Sequence, residues 1–231
     1  MRTHQLILII LILFTLKVKG QDSSVTERMG QFMVKLANGT ELERKIISDS
    51  IQYELRVWIC DFFYTDKVIQ FTKDFSNNWD YRLGYFNQDY NVHQSIVFQD
   101  SIKRSIDWEK FEFRLDNFIN SKIPSQDEIE LKYVANGNPY NGKITDFYPL
   151  DGAIISIETY DNKTRKFIFY NNPNLVLEEL IKEGLTTKEH QYFIEFVNFI
   201  LFDQIDYNRL RRIQAIEKED IRNNNERKTR R

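Results

Sequence analysis

The sequence predicts an α+β fold, an antiparallel meander of β-hairpins with two main helices packed on one face. Three observations predict it. From Tyr53 to Tyr85 apolar and polar residues alternate in runs separated by short turns, the period-two signature of strands. Trp108, Phe111, Leu115, Phe118 and Ile119 then recur at spacings of three and four, which is one face of a helix. A second alternating pair, Ala153–Tyr160 and Arg165–Tyr170, precedes another helical stretch. Short connections make neighbouring strands antiparallel. A sheet with helices on one face buries both apolar sets.

Residues 1–20 read as an export signal. Arg2 and His4 precede the apolar run Leu6–Leu16, and Val18 and Gly20 sit where a signal peptidase wants modest side chains. The run is shorter than the roughly 20 residues that a bilayer span needs. The mature chain is therefore expected to begin near Gln21 without a transmembrane segment. Lys17 and Lys19 lie in the exit region and leave an uncleaved anchor open. The expected setting is periplasmic or secreted.

Residues 21–208 read as a single domain, and 209–231 as a basic, frayed tail. Gln21–Met29 is polar and reads as a loose leader. Phe32, Val34 and Leu36 alternate before Asn38-Gly39, so a hairpin is expected, with Leu42–Ile47 returning. Glu41–Lys45 is equally at ease in a helix. Tyr53–Cys60 places Tyr53, Leu55, Val57 and Ile59 on one face and Glu54, Arg56, Trp58 and Cys60 on the other. Lys67–Lys73 and Trp79–Tyr85 continue the meander. Asp107 is a plausible N-cap for the first main helix, and Ile123-Pro124 ends it. Ser125 and Glu128 have capping-box spacing, and Asn136–Gly142 reads as loop. Asn171-Asn172-Pro173 stops the second hairpin. Thr186 and Glu189 have capping-box spacing at the start of the last helix, whose apolar face is Phe193, Phe196, Val197 and Ile200.

Three stretches carry a resemblance: Ile123-Pro124-Ser125-Gln126, Asp151-Gly152 opening a strand pair that contains Glu158, and Tyr170-Asn171-Asn172-Pro173 before an aromatic helix. Over roughly residues 105–203 the chain resembles a loose group of uncharacterised secreted proteins from Bacteroidota. The resemblance implies a periplasmic or cell-surface setting and transfers no catalytic residue. Cys60 is the one cysteine, so no lipobox follows the apolar run.

Charge narrows the partners. The formal net charge is −2, yet the tail holds nine basic and four acidic residues, so the body is strongly acidic. An acidic body repels phosphate, and no nucleic-acid partner is expected. The tail is free to touch an anionic surface. Cys60 lies inside Leu55–Phe63 and reads as a buried thiol.

No motif supports a cofactor or a catalytic set. Outside the signal only His93 and His190 could serve as a base; His93 falls in a polar stretch, and a surface or capping role is expected for each. Asp74-x-Ser76-x-Asn78-x-Asp80 resembles the first half of a calcium loop, but Trp79 and Tyr85 break the pattern. A hairpin turn explains the same residues. Asn38-Gly39-Thr40 and Asn162-Lys163-Thr164 fit the glycosylation acceptor pattern and would matter in a eukaryotic host. Glu54 and Glu158 are the carboxylates that a glycan hydrolase would draw on, with a cross-strand salt bridge as the plainer role. The residues singled out for ligand binding are Arg56, Trp58, Arg82 and Glu158. If the apolar sheet face meets the helices, Trp58 stands on the outer face among charges, where a sugar or peptide could stack, unless both faces are covered. The expected function is a non-catalytic binding or accessory protein of the cell envelope. A carboxylate hydrolase and a structural envelope component are the alternatives.

Overall fold

The computed structural model describes residues 24–38, 42–43, 50–61, 66–86, 97–99, 106–135, 138–144, 153–161, 164–185 and 187–204. The expected export signal, Leu42–Ile47 beyond Glu43, His93 and the basic tail lie outside them. The strands are β1 (Ile51–Asp61), β2 (Asp66–Asp74), β3 (Trp79–Phe86), β4 (Val97–Gln99), β5 (Glu130–Ala135), β6 (Asn138–Lys143), β7 (Ala153–Asp161) and β8 (Arg165–Asn171). The helices are α1 (Val25–Ala37), α2 (Trp108–Asn120), α3 (Pro173–Lys182) and α4 (Lys188–Asn198). Six strands form one antiparallel sheet in the order β4-β3-β2-β1-β7-β8, and β5 pairs with β6 apart from it. The fold is α+β with an antiparallel sheet. No described helix is long and apolar enough to cross a membrane.

Register decides which chemistry meets which helix. Leu83, Ile69, Val57, Ile157 and Ile168 stand side by side across five strands. They face the main core with Phe111, Leu115 and Phe118 of α2, Val176 and Leu180 of α3, and Phe193, Phe196 and Val197 of α4. Asp107 caps α2 by accepting from the Lys110 amide at 3.0 Å. Each fully buried Leu, Val or Phe here contributes about 1.5–3 kcal/mol relative to exposure. One residue along, the next row turns to the opposite face.

That opposite face is covered by α1. Met33, Leu36 and Ala37 pack on Leu42, Trp58, Cys60 and Val68 in a second, smaller core. Gly30 brings the helix close to β8: a Cβ there would lie 3.3 Å from the Phe167 ring. The expected hairpin and loose leader are thus replaced by a helix from Val25. Its N-cap Ser24 accepts from the Glu27 amide at 3.1 Å, and Asn38 is a C-cap rather than a turn residue. The alternation of Phe32, Val34 and Leu36 misled because Val34 is exposed while Met33 carries the burial.

Asn171-Asn172-Pro173 ends the second hairpin as expected, β8 closing at Asn171, and Pro173 then begins α3, because proline suits the first helical position; Asn172 precedes it in the left-handed region with φ 46°. Two further expectations change. Asn138–Lys143 is strand, not loop. The last helix is capped by Thr187, whose hydroxyl accepts from the His190 amide at 3.2 Å. Ser125 and Glu128 behave as expected, the Ser125 amide donating to the Glu128 carboxylate at 3.0 Å around a short 3-10 turn. That turn also serves β8: the Phe169 amide donates to Ser125 Oγ and the Asn171 amide to Gln126 Oε1.

Candidate functional site

Two cross-strand rows carry the polar chemistry. The first runs Arg82, Gln70, Arg56, Glu158 across β3, β2, β1 and β7, on the α1 face. The Arg82 guanidinium donates to Gln70 Oε1 at 2.9 and 2.6 Å. Gln70 Nε2 and Arg56 Nε both donate to Glu54 Oε1 at 2.5 Å. Arg56 Nη1 lies 3.5 Å from Glu158 Oε2, and its Nη2 donates to the Leu42 carbonyl at 2.8 Å. Glu158 then collects Trp58 Nε1 at 3.2 Å, the Tyr160 hydroxyl at 2.6 Å and Arg165 Nε at 2.6 Å. Arg165 closes the row by donating to the Gly30 carbonyl of α1 at 3.0 Å.

All four residues singled out in the sequence therefore belong to one network. Trp58 does not stand on an outer surface, however. It is 0% exposed, with Arg56 at 3% and Glu158 at 1%, because α1 lies over them; Arg82 alone of the four is half-buried. Burial opposes the Arg56 charge, but Glu54 and Glu158 offset it and hold the guanidinium above its ordinary pKa. Burial and then the Glu158 charge push the Tyr160 phenol up to about 12. Glu158 takes donors on both oxygens and Glu54 takes two on Oε1, both carboxylates are buried, and Arg165 ties the row to α1. Glu54 and Glu158 are bridged by Arg56 and do not border an open cleft.

The second row runs Trp79, Lys73, Tyr53, Asp161 across β3, β2, β1 and β7, at the end of the sheet where Tyr53 begins β1. It lies on the other face, against α2. Glu112, Leu115, Asp116 and Ile119 of α2 and Gln52 complete an open groove of about 420 Å³. Lys73 Nζ donates to Glu112 Oε1 at 2.6 Å, and Trp79 Nε1 donates to the same oxygen at 2.5 Å. Those two hydrogen bonds, Lys73 first, hold the Glu112 carboxyl below its ordinary pKa. The Lys73 ammonium also lies 5.6 Å from the Trp79 ring centre. Trp79 stacks on Trp108 at 5.9 Å and meets Tyr53 edge-on at 6.1 Å. Burial raises the Tyr53 phenol far above its ordinary value; Thr159 lies beside it, yet the hydroxyl makes no hydrogen bond of good geometry.

Sequence reasoning missed Lys73, Glu112, Asp116 and Asp161. A faint signal existed: Glu112 and Asp116 are four apart beside the apolar stripe of α2. Nothing local to the sequence says that this shoulder meets the end of the meander.

The remaining candidates have settled roles. Asp74 spends its carboxylate on the Ser76 and Asn78 amides at 2.8 Å each and on Asn78 Nδ2 at 3.1 Å, the hairpin reading of that motif. Cys60 is a buried free thiol. His190 has its backbone amide in the Thr187 cap, but its ring is buried rather than at the surface, with Nε2 2.6 Å from the Pro173 carbonyl. Among the described residues no cluster of three His, Cys, Asp or Glu is placed to hold a metal ion. No protein-family model and no curated protein matches the chain, so the site is read from its own geometry.

Proposed function

We propose that the protein is an exported, non-catalytic binding or accessory protein of the cell envelope, and that the groove between the sheet end and α2 receives a small ligand. One observation carries this reading. The row Trp79, Lys73, Tyr53, Asp161 puts aromatic surface and polar groups on one floor, with α2 as a wall and a volume of about 420 Å³ between them. Ligand sites combine apolar walls with a few fixed polar groups in volumes on the order of 300–1,000 Å³. The expected export signal supports an extracytoplasmic role.

The test follows the indole N–H resonances of the three tryptophans while a library of small metabolites and oligosaccharides is added. Ligand-dependent shifts of Trp79 and Trp108, with Trp58 still, support the groove. A library that moves none of them removes it. Export is tested separately by fractionating cells that express the full chain and sequencing the N-terminus; a mature start near Gln21 is expected, and retention in the cytoplasm refutes the address.

A further inference from the structure

We propose that His190 is an acid-sensitive latch: neutral, it ties α4 to the start of α3, and a proton taken from solvent onto its Nδ1 opens that tie. The ring stands at a corner where three elements meet. His190 is the third residue of α4, yet it is 0% exposed. Nε2 lies 2.6 Å from the carbonyl oxygen of Pro173, the first residue of α3. The Tyr170 ring, near the end of β8, meets the imidazole edge-on at 5.2 Å.

A carbonyl only accepts, so Nε2 carries the proton of the neutral ring and Nδ1 is a bare lone pair. That nitrogen is buried and has no hydrogen-bond partner among the described residues. A second proton therefore places a charge in a buried site and adds an N–H that has no acceptor. It also sets a cation in the first turn of α4, where the helix end is already positive. No neighbouring charge offsets this. Tyr170 is the titratable group in contact with the ring, and its hydroxyl donates to the Pro124 carbonyl at 3.2 Å. Lys188, Glu189 and Glu195 of α4 and Glu178, Glu179 and Lys182 of α3 are exposed. In the 3-10 turn Asp127 accepts from Thr26 and Glu128 from the Ser125 amide, and Lys166 of β8 has Glu128 for its neighbour. Burial holds the ring below its ordinary value of 6.5, and the Pro173 carbonyl opposes only part of that. The unfolded chain takes its proton near 6.5 and the folded chain lower, so the latch is whole above 6.5 and its contribution is lost as pH falls toward the folded value.

The latch restrains an aromatic helix face. Phe193 stacks on Tyr170 at 3.7 Å, and Phe196 stacks on Phe118 at 4.1 Å. Opening it in mild acid frees that face locally while the sheet stays folded.

The experiment measures hydrogen-exchange protection factors on the full chain, about one pH unit above the ordinary value of 6.5 and about one and a half below it. Protection of the Phe193–Val197 amides should fall at least tenfold in acid, with that of β1 and β2 unchanged. H190Q keeps a donor for Pro173 but cannot take the proton, and it should lose this acid response. H93Q, the other histidine outside residues 1–20, should keep it. Imidazole nitrogen NMR of the wild type reads the same site without a variant: His190 should show Nε2–H with a bare Nδ1 and gain its proton only as α4 loses protection. Unchanged α4 protection in acid overturns the latch. So does an equal acid response in H190Q, which assigns it to another group, or a loss spread evenly over sheet and helices, which is global unfolding. A ring that protonates near 6.5 while α4 stays protected overturns it as well.

Discussion

The two polar rows are built from the same parts. In each, one carboxylate accepts an indole N–H and a cation: Glu158 holds Trp58 and Arg165, and Glu112 holds Trp79 and Lys73. The rows lie three residues apart along β1, which puts them on opposite faces. The centre of the Glu158 row, Arg56 with Glu54 and Glu158, is sealed by α1, while Arg82 and Arg165 at its ends keep part of their exposure. The Glu112 row stays at the rim of a groove, with its Lys73 and Glu112 side chains 21% and 40% exposed. Residue type did not decide which row holds the protein together and which faces a visitor; the covering helix did.

The sharpest way to break the contrast is to remove each carboxylate. E158A takes from buried Arg56 one of its two carboxylates and leaves the buried Trp58 and Tyr160 donors without their acceptor, and breaking a buried pair costs about 3–5 kcal/mol. Urea unfolding should read that loss, whereas E112A should cost under about 1 kcal/mol, as exposed pairs do. Near-equal costs would dissolve the distinction. Removing only the indole donors gives a smaller step. W58F should cost about 1.5–3 kcal/mol, the worth of a hydrogen bond to a charged group, and W79F clearly less in the same unfolding assay.

Cys60 lies in the small core under α1 and is the one cysteine in the chain, so it is a built-in reporter. Thiol labelling under native conditions should be slow in the wild type and several-fold faster in R165A, which unties α1 from the sheet. Unchanged labelling would mean that Arg165 does not hold the helix down. The smallest effect is on titration. Lys73 and Trp79 depress the Glu112 carboxyl, so this pair stabilises the fold above the ordinary value of 4.5 and that contribution is lost as pH falls through the lower folded value. Carboxyl-carbon NMR should show the depression in the wild type and a rise toward the ordinary value in K73M.

The meander, the second hairpin and both main helices were legible because each writes its own period: Tyr53–Cys60 in twos, Trp108–Ile119 in threes and fours. The partners Arg56, Trp58, Arg82 and Glu158 were also legible, since alternation assigns each to a face. Their burial was not, because it depends on α1, whose sequence supports two periods and which only tertiary packing resolves. The groove was hidden for a related reason. Tyr53, Lys73, Trp79 and Asp161 become neighbours through register, and Glu112 and Asp116 join them only when α2 docks.

Ser125 and Gln126 occupy, with their side chains, the positions where another strand would hydrogen-bond to β8. A second molecule approaching that border finds the Phe169 and Asn171 donors already taken. Over this stretch the border offers an incoming strand no free donor at those two residues, which weakens it as a template for joining sheet to sheet.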